Sequence, residues 1–535
     1  MLRFAKPPQA RGQLVLISTK IDDEISQDDP VRLLNEILGQ INWTHWEACY
    51  SDHGAGRPPI HPRTMSGIIL YGLLTKIRSS RNLEEALEKR IDFRWLAEGL
   101  SIDHSTLSEF RRKHGDQLKD LFIQVVLIAR EMGLVSLSQL AYDGTKIRAS
   151  NHRQRTRTPA ELRTLQKELT EKFNAYVEQA RREEEDQQFL SSSELPDELV
   201  DTKRRLDQIQ KAIAELDRLD AADKTPPKRL PITDPESRVT PNKEGGMAPN
   251  YNPTAMVDTA SGMMVQADVL STTSEEHELM GAIDQVEKEL GQRAEEVLAD
   301  GLFATGENLE ACDSREITLY SPRKGEPKSP NPAERDDLSL PVAAEEISQL
   351  PTRLISKKSG EKQFDKAAFI YDAEADCYWC PQGNQLEYRY TNHRKNTTGT
   401  EVERREYKAS EAECAGCPLK EKCLSGTSKR RGVKRDQYEE HREKLSQRMK
   451  SDDGKQKYAK RCAPGERPFA VIKQQFGARQ FLLRGLDRVK VEWDWLSVAF
   501  NIKILIGHMG RVGLSSMQSR AGPSFVPLGS APGIT

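Results

Sequence analysis

Three acidic residues stand in settings where carboxylates do chemistry: Asp143 in LAYDG, Asp300 in EEVLADG and Glu466 in CAPGERPFAVIKQ. In-line attack on a phosphodiester is slow because charge builds on the attacking and leaving oxygens together, and two divalent ions roughly 3.5–4 Å apart stabilise both. Magnesium takes oxygen ligands and keeps several waters, so a few rigidly held carboxylates suffice. Asp143 and Asp300 each follow a short apolar run and precede a glycine, which leaves room beside the carboxylate. Either Asp-Gly alone is equally the mark of a turn, in a chain with 82 acidic residues. Glu466 and Lys473 are seven residues apart, about two helical turns, and share one face. Such a pair can divide the work, the Glu on a metal and the Lys on a phosphate. Upstream, Arg461 and Tyr458 are placed to hold a neighbouring strand, the Arg by a fork contact. Spacing alone also fits surface ion pairing on a charged helix.

The elements that must position these residues are legible in outline. Leu140-Ala141-Tyr142 before Asp143 and Ile147 after it predict a short buried strand. YNPTAMVDTASGMMVQADVLS predicts two strands joined by a turn at Thr259–Gly262. A helix follows (EEHELMGAIDQVEKEL), then a strand ending at Asp300, a helix from GLFATGENLEAC and a strand in EITLYSPR. Residues 322–368 read as irregular, and 429–477 as strongly charged helices. VEWDWLSVAFNIKILIGHM reads as a final amphipathic helix.

Ahead of Asp143, residues 30–135 read as mostly helical. Val31, Leu33, Leu34, Ile37, Leu38 and Ile41 form one apolar stripe, and Asn82 is the expected cap of LEEALEKRIDFRWL. In SIDHSTLSEFRRKH, Asp103 or Ser105 caps a short helix with Ser108, Arg111, Arg112 and Lys113 outward. That is the look of a recognition helix, and equally of an ordinary amphipathic helix with a basic end. Between Asp143 and the paired strands, residues 158–222 carry two apolar seams, Leu162-Leu165-Leu169-Phe173-Tyr176 and Leu206-Ile209-Ile213-Leu216. They predict an antiparallel helical hairpin, a solvated spacer without chemistry.

The bulk numbers narrow the class. With 535 residues, several domains of roughly 100–200 residues are expected. The chain is 30% charged and 36% hydrophobic, and 80 basic residues nearly cancel 82 acidic ones. A uniformly basic DNA coat is therefore excluded, and any nucleic-acid surface must be a local patch. Neither a secretory signal nor an apolar run of spanning length is visible, so a cytoplasmic protein is expected.

Eight cysteines in this length do not make a disulfide scaffold. Five crowd between Cys377 and Cys423, including the pairs Cys377/Cys380 and Cys414/Cys417, and two such pairs fit tetrahedral zinc. Around them Arg389, Tyr390, His393, Arg394, Lys395, Lys429, Arg430 and Arg431 suit DNA backbone contact or a merely solvated surface.

Taken together, the chain resembles the bacterial insertion-sequence transposases of the DDE type. GRPPIHPRTMSGIILYGLLTKIRSSRNLEEALEKRIDFRWLAEGLSIDHSTLSEFRRKH is similar to their InsH-type N-terminal domain, YDGTKIRAS to the first catalytic Asp motif, and VLADGLFATGENL to the second. ITDPESRVTPNKEG with YNPTAMVD resembles the segment before the next strands, and ERPFAVIKQQFG the block with the catalytic Glu. Tyr458, Arg461, Glu466 and Lys473 resemble the family's Tyr-Arg-Glu-Lys signature, although the four residues between Arg461 and Glu466 are one more than its usual spacing. In YNPTAMVD, Pro253 and Thr254 depart from the family pattern and are expected at a strand edge.

The resemblance implies an α/β protein: an RNase H-like mixed sheet flanked by helices, an all-α N-terminal DNA-binding domain and a helical-hairpin insertion. The expected division is a helical domain at 15–135, a catalytic core from 136–157 and 245–322, the hairpin at 158–225, a cysteine-rich insertion at 371–425, the core's C-terminal part at 440–512 and a disordered tail at 513–535. Asp143, Asp300 and Glu466 would hold Mg²⁺ or Mn²⁺, and Cys380, Cys414, Cys417 and Cys423 would be the zinc set. Tyr458, Arg461, Lys473, Arg111, Arg112 and Lys113 would contact DNA. The implied partners are the element's terminal repeats, target DNA and a second copy of the chain. The implied reaction is hydrolysis at the element's ends and attack of the freed 3′-OH on target DNA. The alternative is a transposase-derived protein that binds DNA without cutting it.

Overall fold

The structure, a computed structural model, describes residues 20–50, 58–152, 155–186, 197–221, 227–242, 245–272, 274–323, 330–355, 360–395, 399–424, 426 and 428–512. The expected tail, the tip of the hairpin and the start of the N-terminal domain lie outside them. The chain is a mixed α/β protein made of two compact units. One is built from residues up to 275, 281–294 and those from 462 on, the other from 276–280 and 295–461.

In the first unit every described element before Gln139 is helical. Asp29 caps Pro30–Gly39 by accepting from the Val31 N–H at 2.8 Å, and the helix buries Val31, Leu33, Leu34, Ile37 and Leu38. Helix Pro62–Leu74 runs so close to its neighbour that a Cβ on Gly72 would meet Leu83 Cδ2 at 2.5 Å and the Ile77 carbonyl at 2.8 Å. The helix expected to start after Asn82 begins earlier, at Ser80, because the Ser79 carbonyl already accepts from Leu83 N–H at 2.9 Å. It also breaks at Arg90, whose extended backbone separates it from Ile91–Leu96. Of the two expected caps of His104–Lys113 it is Asp103 that accepts the Thr106 N–H, at 2.8 Å.

Strand Met247–Asp258 is the axis of the sheet. It pairs antiparallel with Gln139–Gly144 on one side (Leu140 opposite Asp258, Gly144 opposite Thr254) and with Met264–Leu270 on the other. Its first half pairs with Ile147–Arg148 and Arg238–Pro241. The expected turn is there: the Asp258 carboxylate accepts from Ser261 N–H at 2.8 Å, and Gly262 takes φ +72°. Pro253 is not at an edge as expected. It lies inside the axial strand, with its carbonyl accepting from Thr145 N–H at 2.8 Å where the partner strands are interrupted, a place that tolerates a missing N–H.

The last helix, Leu486–Val512, differs from the expected amphipathic one. It packs against helices Pro30–Gly39, Pro62–Leu74, His104–Lys113 and Gly115–Glu131 and against strand Met264–Leu270, so residues 492–502 are buried on all sides. Its polar groups are matched: Asn501 exchanges hydrogen bonds of 2.9 and 2.8 Å with the Met264 backbone. Glu492 accepts from Leu482 and Leu483 N–H, each at 2.9 Å, and pairs with Arg78 at 2.7 Å. Helices Pro159–Asp186 and Asp197–Ala221 pack on one another over Leu162, Ile209, Ala212 and Leu216.

In the second unit the short strands Glu296–Leu298 and Thr318–Tyr320 are parallel, with helix Gly306–Ser314 between them. Downstream lies a five-stranded antiparallel sheet that the sequence reading lacked: Ile370–Asp372, Cys377–Trp379, Gln385–Lys395, Glu401–Ala409 and Gly432–Asp436, in that order. Gly432–Asp436 therefore corrects the expectation of helix from 429 on. Helices Glu439–Lys450 and Asp452–Ala459 complete the unit, and no helix among the described residues is long and apolar enough to cross a membrane.

Candidate active site

Asp143 is the next-to-last residue of its strand, half-buried, with its Oδ1 accepting from Gly144 N–H at 2.9 Å. Helix Cys462–Gln474 packs over this strand and over the axial strand. It does so through Gly465: a Cβ there would lie 3.8 Å from both Cβ and Oδ2 of Asp143. Glu466, the next residue, is exposed, while Phe469 and Ile472 are buried beneath the helix. Two turns on, Lys473 donates from Nζ to the Thr145 hydroxyl, two residues past Asp143. The first acid and the Glu466 helix therefore meet inside one unit.

An open cavity of about 580 Å³ adjoins the strand end, lined by Gly144, Thr145, Lys146, Arg148, Lys473 and Arg479 among others. Glu275 enters it as well. Its carboxylate lies so close to the Gly144 Cα that a Cβ there would meet Oε2 at 2.1 Å. The glycine after Asp143 thus makes room for another carboxylate. Sequence reasoning missed Glu275, Arg148 and Arg479; the only signal was an acid in STTSEEHEL and an arginine four residues past the YDG motif.

Asp300 belongs to the second unit, two residues beyond its strand. Its Oδ1 accepts from Leu302 N–H at 2.7 Å and its carbonyl from the Ser321 hydroxyl at 2.6 Å. A Cβ on Gly301 would meet the Pro322 carbonyl at 2.6 Å, so this glycine is required by the backbone around the acid. Tyr458, near the end of helix Asp452–Ala459, and Arg461 are half-buried in the same unit, the Arg461 N–H donating to the Tyr458 carbonyl at 2.9 Å. Among the described residues no group of three or more His, Cys, Asp or Glu is drawn up to hold a metal ion.

Of the three basic residues expected on the outer side of His104–Lys113, Arg111 is turned inward. Its Nη1 donates to the Arg78 carbonyl at 2.6 Å, and burial pushes its guanidinium pKa below the ordinary value. Arg112 and Lys113 are exposed, the Arg donating to Ser108 O and the Lys paired with Glu109 one turn back. Arg431 is likewise structural. It donates to the Cys423 carbonyl at 2.9 Å and the Phe364 carbonyl at 3.0 Å and lies over the Phe369 ring.

Cys380, Cys414, Cys417 and Cys423 pack against one apolar cluster that includes Phe364, Tyr378 and Tyr407. Burial raises the Cys380 thiol pKa, the backbone N–H groups of Asn384 (3.3 Å from Sγ) and Gln382 oppose that, and Cys417 and Cys414 add to the rise. Burial also pushes Cys423 up to about 12, with Arg431 opposing and the other three thiols adding. Burial raises the Cys377 thiol as well, with Asp372, Asp376 and Glu387 adding to the rise.

Two family models match the chain. Residues 379–506 match the transposase DDE domain, a stretch that contains the four cysteines, Glu466 and Lys473. Residues 19–113 match the transposase domain known as DUF772, which contains the N-terminal helices up to Lys113. No curated protein matches. Two transposase domains in one polypeptide, in this order, support an insertion-sequence DDE transposase.

Proposed function

We propose that the protein cuts the ends of an insertion element and joins them to new DNA. The observation that supports this reading best is the packing of Gly465 on Asp143, which brings the strand end and the Glu466 helix together from distant parts of the chain. In the first step water attacks phosphorus in line and the P–O3′ bond breaks, leaving a 3′-OH and a 5′-phosphate. In the second, that 3′-OH attacks a phosphodiester of the target and a target 3′-oxygen leaves. Asp143, Asp300 and Glu466 are the ligands in this reading, in an RNase H-like core formed by the antiparallel strands about Met247–Asp258 and the helix over them. Carboxylates are the donors that Mg²⁺ takes, and bound ions would neutralise the charge on the attacking and leaving oxygens. Lys473, steadied by Thr145, holds a phosphate near the reacting one.

Arg112 and Lys113, Tyr458 and Arg461 extend the DNA contacts, and a second copy of the chain serves the second element end. Cys380, Cys414, Cys417 and Cys423 hold a structural zinc, a reading supported by their common packing and by N–H groups aimed at Cys380 Sγ. The test is nicking of a plasmid that carries the element. Wild type should cut only with Mg²⁺ or Mn²⁺, and Asp143→Ala should bind the DNA without cutting it. Wild-type binding without any cutting would favour a DNA-binding protein instead.

A further inference from the structure

The cavity beside Asp143 has a composition that the three-acid reading does not require. Among the described residues, four of its lining side chains are cations, Lys146, Arg148, Lys473 and Arg479, against one carboxylate, Glu275. Their convergence is built by the backbone. The Arg148 N–H donates to the Arg479 carbonyl at 3.3 Å and the Phe481 N–H to the Arg148 carbonyl at 2.9 Å, so a short parallel bridge sets the two arginines on adjoining chains. Gly477, at φ +71°, turns the chain after the Glu466 helix to make that bridge.

A neutral observation points the same way. Asn242 lines the cavity, and its Nδ2 is buried without a hydrogen-bond partner among the described residues. A buried amide donor is costly unless an acceptor arrives. A ligand made only of acceptor oxygens and carrying negative charge satisfies both features. Among the described residues no aromatic ring lines the cavity to stack a base.

We infer that this cavity seats backbone phosphate of a DNA strand next to the Asp143 end of the sheet, with Arg148, Arg479 and Asn242 as the positioning residues. The inference rests on the reading of the chain as a DNA-cutting enzyme. Glu275 has the acceptor chemistry of a phosphate and lies among the same cations, so it holds the place until DNA displaces it. Removing its charge therefore favours DNA.

The test is fluorescence anisotropy with full-length protein and a short labelled DNA duplex, in EDTA, over a range of salt. Arg148→Ala and Arg479→Ala should each weaken binding about five- to tenfold and lower the salt slope by about one, as loss of one phosphate contact does. Glu275→Gln should tighten binding several-fold. Lys167→Ala, on the exposed face of the hairpin, should match wild type. Arg479→Lys keeps the charge and should recover most of the affinity, which separates a phosphate contact from a folding defect. Wild-type affinity and slope in both arginine variants would overturn the inference, as would weaker binding by Glu275→Gln. The plasmid nicking assay reads the parent claim separately. Nicking by wild type with unaltered binding by the arginine variants sinks the cavity alone. No nicking with weakened binding sinks the enzyme and leaves the cavity.

Discussion

The carboxylate of Glu275 rests on the Cα of Gly144, in the space where any other residue would carry its Cβ. The residue after Asp143 is thus a glycine because a charged group lies over it. The obstacle to Gly144→Ala is the far end of a flexible side chain, 2.1 Å away, so the fold should survive with a loss under about 1 kcal/mol. The displaced carboxylate then moves within the cavity that adjoins Asp143. Plasmid nicking should fall at least about tenfold while the melting temperature stays within a few degrees.

Gly465 behaves differently although it too lies beside Asp143. Its added Cβ would stand at 3.8 Å, an ordinary van der Waals distance, in the interior of a helix. Ala in place of Gly there should stabilise the protein by about 0.5–1 kcal/mol. Urea denaturation checks this, and destabilisation would show the helix packing on the strand more tightly than described.

The buried pair of Arg78 and Glu492 anchors the long last helix. Arg78 is 13% and Glu492 6% exposed, and the Glu also accepts two backbone N–H groups. Removing one partner leaves the other charge buried, at a cost of about 3–5 kcal/mol. Glu492→Ala should lower the urea midpoint accordingly, with Arg78→Ala close behind.

Asp494, one turn from Lys490, gives a pH signature. Burial pushes its carboxyl from 3.8 up to about 7, with Lys119 and Lys490 opposing and Asp268 and Glu289 adding. Between those values the folded protein keeps a proton that the unfolded chain releases. Stability should therefore fall as pH rises from about 4 to 7 and change no further from this group above it. The span corresponds to about 2–4 kcal/mol. Asp494→Asn should remove that slope from urea unfolding measured across the window.

The cysteine set gives a prediction independent of activity. Protein purified without chelator should carry about one zinc per chain by atomic absorption. Cys417→Ser should lose the metal and melt lower, while Cys377→Ser should keep it.

What the sequence conveyed was local. The short strand at Asp143, the turn at Asp258–Met263, the cap at Asp103 and the hairpin seams each follow from neighbours a few residues apart, where periodicity and turn chemistry act. What escaped depended on distant partners. Gln385–Lys395 exposes residues on both faces and so shows no alternation. The last helix hides Glu492 and Asn501, whose partners Arg78 and Met264 lie far away in the chain. Arg111 looked outward on a basic helix end, yet the Arg78 carbonyl captures it. The cavity was invisible because it joins Arg148 to Arg479 through a single bridge.

The proposed cleavage requires Asp143, Asp300 and Glu466 to share one metal-binding place. Iron-directed backbone cleavage reads this without DNA: Fe²⁺ replaces Mg²⁺, ascorbate and peroxide are added, and the cut sites are mapped by mass spectrometry. Cuts beside all three acids, competed away by excess Mg²⁺ and lost together in Asp143→Ala, are the predicted result. Cuts beside Asp143 and Glu466 with none near Asp300 would contradict it.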